Sequence, residues 1–180
     1  MVRWGQTILA RTLAVTGRLH GPRADMVRTE IEAAGAFPSA EALAEALLAR
    51  GIAADALMEA EKLVAASEAN GRGRDYVPAL ELKARALISL GRPAEALSVL
   101  HEAQTRATDM DYQRILWRVH RTRGETYSAL GDPEATAKSY QEAAAVLRAL
   151  ADTIPDAQLK NDFLSNPIVV STLKAAQPGS

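Results

Sequence analysis

The sequence predicts an all-α chain built of antiparallel helical hairpins stacked on one another. Three observations predict it. Thirty-six of the 180 residues are alanine and 4% are aromatic, and Ala, Leu, Glu and Arg lose little rotamer freedom in a helix. β-branched runs are nearly absent, "PIVVST" near the end being the longest. Gly51, Gly91 and Gly131 stand forty residues apart, each where a helical pattern stops.

Helix-ending signals place the elements in order. A first helix is predicted over about 2–18, where Trp4, Ile8, Leu9, Leu13 and Leu19 recur near helical spacing, and a second over 22–34, ahead of "GAFPS". Residues 1–24 carry Arg3, Arg11, Arg18 and Arg23 and no acid. An organelle transit peptide shares that bias, but the apolar spacing favours an ordinary packed helix. Ser39 is the predicted N-cap of the next helix, which stops at Gly51, and another covers 53–68 and ends in the basic turn "NGRGR". Helices over 76–90, 93–108, 111–130 and 133–153 follow, then two short ones over 156–164 and 167–175. In "GDPEA", Gly131 stops one helix, Asp132 caps the next and Pro133 takes its first position. Gly91 with Pro93, and Asn166 with Pro167, repeat the device. Short loops make neighbouring helices antiparallel.

The forty-residue period reaches beyond the glycines. Ala44, Ala84 and Gly124 are the small residues of the pattern, and Leu47, Leu87 and Tyr127 the large ones three positions on. After the turn come Ala56, Ala96 and Thr136; Leu100 and Tyr140 follow four residues on, then Ala103 and Ala143. A small side chain admits the facing helix and a large one fills the space beside it. Such a hairpin cannot bury its apolar face alone, so it stacks on its copies.

In "RGETYSALGDPEATAKSYQEA" and "KARALISLGRPAEALSVLHEA" this pattern resembles the tetratricopeptide repeat. The resemblance rests on Gly124, Tyr127, Gly131, Tyr140 and Ala143, and on Ala84, Leu87, Gly91, Ala96, Leu100 and Ala103. The usual Trp position holds Leu80 and His120, the closing Pro position holds Thr108 and Arg148, and the period of forty exceeds the family's usual length of about 34. The resemblance implies a right-handed superhelix. It makes 1–180 a single repeat domain, with an N-terminal hairpin over 1–36, repeats over 39–70, 74–108 and 111–153, and C-terminal capping helices over 155–176. The tail "LADTIPDAQLKNDFLSNPIV" is similar to the C-terminal repeat region of large bacterial signalling regulators that carry an ATPase or cyclase-like module, through Ile154, Pro155, Asp156, Leu159, Phe163 and Leu164. Phe163 and Leu164 are expected to cover the apolar end of the last hairpin.

Composition and motifs then narrow the function. Net charge is −1, so no global field draws the chain to nucleic acid. No apolar stretch reaches the roughly 18 residues of a membrane span. Cysteine is absent, which removes disulfides, thiolate metal sites and cysteine nucleophiles and suits a reducing cytoplasm. No G-x-x-x-x-G-K-[ST] phosphate loop and no H-E-x-x-H occur. His20, His101 and His120 are far apart, and His101 and His120 are expected to be solvated or singly hydrogen-bonded. No catalytic residue, cofactor or metal site is predicted, and the chain is not expected to be an enzyme.

The predicted working surface is a concave groove, since in tetratricopeptide arrays the first helix of each hairpin lines it. By register it would show Glu41, Glu45 and Leu48, then Glu81, Arg85 and Ile88, then Arg114, Arg118, Arg121, Glu125 and Ser128. Of these, Glu81, Arg85, Arg114, Arg118, Arg121 and Glu125 are the candidate partner-binding residues. Arg114, Arg118 and Arg121 share one helix face, and guanidiniums there can hold a carboxylate or phosphate through forked hydrogen bonds. The alternative for the same arginines is a solvated face paired with neighbouring acids. The sequence thus points to an interaction module for a protein or peptide partner, with an acidic segment as the fitting ligand. A ligand-sensing segment of a transcription or signalling regulator, with Trp117, Tyr112 and Tyr127 near its pocket, is the alternative. Self-association through an uncapped end is a further expectation.

Overall fold

The computed structural model describes Val27, Thr29, residues 39–71 and residues 73–177. Among these no strand occurs, and eight helices carry the structure: α1 (Ala40–Ala49), α2 (Ala53–Ala69), α3 (Gly73–Ser89), α4 (Pro93–Asp109), α5 (Gln113–Leu130), α6 (Pro133–Asp152), α7 (Ala157–Ser165) and α8 (Pro167–Ala175). The predicted hairpin over 1–36 lies outside the described residues, save that Val27 and Thr29 are helical. The chain divides into two compact units, Met1–Ala96 and Leu97–Ser180. Each is described by itself.

The predicted caps form. Ser39 accepts a hydrogen bond from the Ala42 N–H at 3.2 Å, and Asp132 from the Ala135 N–H at 2.9 Å, with Pro133 in the first turn behind it. Asn166 accepts from the Ile168 N–H at 3.0 Å, ahead of Pro167. Each satisfies a first-turn donor that has no partner inside its helix.

The helix ends repeat as the glycines do. Gly51, Gly91 and Gly131 take φ of 72°, 72° and 75°, the left-handed region where a Cβ costs energy. The residue after each donates back across the turn: Ile52 to the Leu47 carbonyl (2.9 Å), Arg92 to Leu87 (2.9 Å) and Asp132 to Tyr127 (3.0 Å). These are the six-to-one bonds of a Schellman turn, and they stand forty residues apart.

Two helix starts differ from the sequence reading. One is the start predicted at about residue 76. The helix instead begins at Gly73 and holds Pro78 inside it. At the other, Asp111 does not open α5. It takes φ 48° and closes α4, with the Tyr112 N–H bonded to the Ala107 carbonyl at 2.8 Å.

In the first unit α1 packs on α2, α2 on α3, and α3 back on α1. Val27, Ala42, Leu43, Ala46, Leu47, Ala56 and Ala86 form one buried cluster, edged by Leu48, Ile52 and Leu57. Ala44, Ala60 and Leu82 form another. Alanine at both 44 and 60 is what lets α1 and α2 approach. In the second unit α5 packs on α6, and α6 carries α8 and α7. Leu100, Ala103, Val119, Ala143, Ala144 and Leu147 are fully buried. Each buried leucine contributes roughly 1.5–3 kcal/mol of transfer free energy. Phe163 and Leu164, expected to cover the last hairpin, are half-buried, and Leu159 beside them is 62% exposed.

Candidate functional site

α5 sets the candidate site. Ile115, Leu116, Val119, His120, Thr122 and Thr126 turn inward and are buried. Arg114, Arg118, Arg121, Glu125 and Ser128 then fall within an arc of about 80° on another face, at 100° per residue. Arg114 and Ser128, at the ends of this stripe, are exposed; Arg118, Arg121 and Glu125 are half-buried. The stripe is held in place partly by its own charges: Arg121 Nη2 lies 2.7 Å from Glu125 Oε1, one turn on.

The stripe ends at a concavity of about 510 Å³, open to solvent, whose wall includes Ser128, Asp132, Thr136, Tyr140 and Gln141, with Gln177 beyond α8. Its aromatic residue is Tyr140. Tyr112, Trp117 and Tyr127, the aromatics placed near a pocket by sequence, do not line it. Burial raises the Tyr140 hydroxyl above its ordinary pKa; the Glu125 carboxylate raises it further, and Arg121 opposes. The hydroxyl therefore shares the field of the Arg121–Glu125 pair. The ring itself lies against Gly124, where an added Cβ would meet Tyr140 Cδ2 and Cε2 at 3.0 Å.

Of the predicted site residues, four belong to this stripe. Glu81 and Arg85 belong to the first unit. There Glu81 is 2% exposed and Glu45 is buried beside it, while Arg85 Nη1 lies 3.1 Å from Glu45 Oε1 and 3.9 Å from Glu81 Oε2. These carboxylates face the half-buried Arg85 guanidinium rather than open solvent.

The sequence reading missed one polar cluster. Arg123 donates through Nε to Ser139 Oγ at 3.2 Å, through Nη1 to Gln104 Oε1 and through Nη2 to Glu142 Oε2. One guanidinium thus ties α4, α5 and α6 together. His120 sits beside it, buried rather than solvated, its Nδ1 3.2 Å from Glu142 Oε2 but without a hydrogen bond. Burial, and then the Arg123 charge, lower the His120 pKa, with Glu142 opposing. The available signal was register: forty residues earlier the matching position holds Leu80, which is buried as well.

Among the described residues no group of three or more His, Asp or Glu side chains is placed to hold a metal ion, and no helix is long and apolar enough to cross a membrane. What the stripe offers chemically is fixed positive charge in a forked geometry, suited to carboxylate or phosphate oxygens. Comparison of the chain with family models, with curated proteins and with solved structures returns no match.

Proposed function

We propose that this chain is a non-catalytic interaction module of tetratricopeptide-like hairpins that holds an acidic segment of a protein partner along α5. One observation carries the reading: three guanidiniums share one half-exposed stripe, with Arg114 at its open end. The forty-residue recurrence of the Schellman turns supports the repeat part of the reading. The similarity of the tail to bacterial signalling regulators makes a regulatory or scaffolding task for an ATPase or cyclase assembly the natural setting. A cytoplasmic location belongs to the same reading and rests on the cysteine-free composition.

The test is fluorescence anisotropy with a labelled Glu/Asp-rich octapeptide. The wild-type chain is compared with an Arg114→Glu/Arg118→Glu/Arg121→Glu variant of equal helicity. Binding that weakens at least tenfold in the variant, and falls with added salt, supports the reading. Equal binding by both chains removes the stripe from the interface. A pull-down with the same pair then identifies the natural partner.

A second reading, a ligand-sensing segment of a regulator, is favoured by the concavity beside Tyr140. A small effector there would bind the wild-type chain more tightly than Tyr140→Ala, without displacing the peptide.

A further inference from the structure

We infer that Glu125 is a built-in competitor for the arginine stripe, occupying Arg121 until an acidic ligand displaces it. The inference rests on the acidic-segment reading above. Arg121 and Glu125 are one helical turn apart, 2.7 Å between Nη2 and Oε1, and their side chains are 30% and 33% exposed. The pair is therefore within reach of an incoming ligand. Glu125 lies on the same narrow arc as Arg114 and Arg118, so its carboxylate sits among the groups a ligand carboxylate must meet. It opposes such a ligand in two ways, by holding a donor the ligand needs and by repelling its charge.

Glu125 is thus a specificity element, and not a ligand-holding residue. A pair one turn apart on a solvent-reached helix face, as this half-buried one is, is weak enough to yield. A ligand with several acids, engaging exposed Arg114 first, can take Arg121 from a single intramolecular carboxylate. A ligand with one acid cannot gain as much. The stripe then discriminates between multiply and singly acidic segments.

The experiment uses the full chain and the same labelled Glu/Asp-rich octapeptide, titrated against wild type, Glu125→Gln and Glu125→Asp, with a labelled peptide carrying a single Glu as the second probe. Glu125→Gln is expected to bind the octapeptide about two- to fourfold more tightly, from the size of one i,i+4 charge pair. It should narrow the preference for the octapeptide over the single-Glu probe. Glu125→Asp, which keeps the charge but shortens the reach to Arg121, should fall between. Urea unfolding of each variant separates a binding gain from a change in fold. Tight octapeptide binding by wild type, unchanged or weakened in Glu125→Gln, overturns the competitor role and leaves the stripe reading standing. No binding by any variant overturns both. Binding by Glu125→Gln where wild type shows none supports the competitor role in its strongest form.

Discussion

Arg85 Nη1 lies 3.1 Å from Glu45 Oε1, and the two residues stand forty positions apart, the spacing of Gly51, Gly91 and Gly131. Positions forty residues apart therefore carry opposite charges, and the two meet side by side. Glu45 is buried and Arg85 half-buried, so the pair is shielded from solvent more than a surface bridge. Replacing Arg85 by Met removes one partner from both Glu45 and Glu81, and is expected to cost about 2–3 kcal/mol. Replacing Glu45 by Gln in that background should recover part of the loss, because the carboxylate left behind causes most of it. Urea denaturation of the two single variants and the double variant measures this coupling.

Gly124 and Tyr140 predict a change of sign. Alanine in place of a helical glycine ordinarily adds about 1 kcal/mol. Here the new Cβ meets a stiff ring at 3.0 Å, so Gly124→Ala is expected to destabilise by about 1 kcal/mol. One period earlier the sequence writes Ala84 and Leu100 at the matching positions. With Tyr140→Leu already in place, Gly124→Ala should therefore become stabilising by about 0.5–1 kcal/mol. Thermal unfolding of the four chains decides it; destabilisation in both backgrounds would show that the ring is not the obstacle.

The fold was legible because its signals are local. Ser39, Asp132, Asn166 and the forty-spaced glycines each act within one turn of backbone, and a short loop then forces an antiparallel neighbour. The α5 stripe was legible for a related reason, since 3.6-residue periodicity alone puts Arg114, Arg118, Arg121 and Glu125 on one face. The depth of a residue beneath that face was not. Glu81 and Arg85 have the same spacing as any solvated pair, and only the packing of α3 on α1 shows that Glu81 is buried. The Arg123 cluster was harder still, because Gln104, Ser139 and Glu142 come from two other helices and no sequence spacing links them to Arg123.

Asp111 occupies a left-handed turn, φ 48°, forty residues after Gly71, which takes φ 61° in the corresponding turn. An L-residue there carries a strain of roughly 1 kcal/mol, less for Asp than for most. Its carboxylate accepts only an exposed hydrogen bond, from Gln113 Nε2 at 2.9 Å. Asp111→Gly is therefore expected to raise stability by about 0.5 kcal/mol, and Asp111→Val to lower it by more than about 1 kcal/mol. The midpoint of urea unfolding should move in opposite directions for the two variants.

His120 predicts how stability follows pH. The folded state holds its pKa below the ordinary histidine value, first through burial and then through Arg123. The unfolded chain titrates near 6.5, so below that pH it binds a proton that the folded chain does not. Stability tied to His120 is thus full above about pH 6.5 and is lost as pH falls from there toward the folded-state pKa, by up to about 1.4 kcal/mol per pH unit. His120→Gln lacks the titrating group and should lose less stability between pH 7 and 5 than wild type. Titrating groups common to both chains and away from His120 cancel in that difference. Equal losses in the two chains would mean that the imidazole charges in place and donates a hydrogen bond from its new N–H to the Glu142 carboxylate 3.2 Å away.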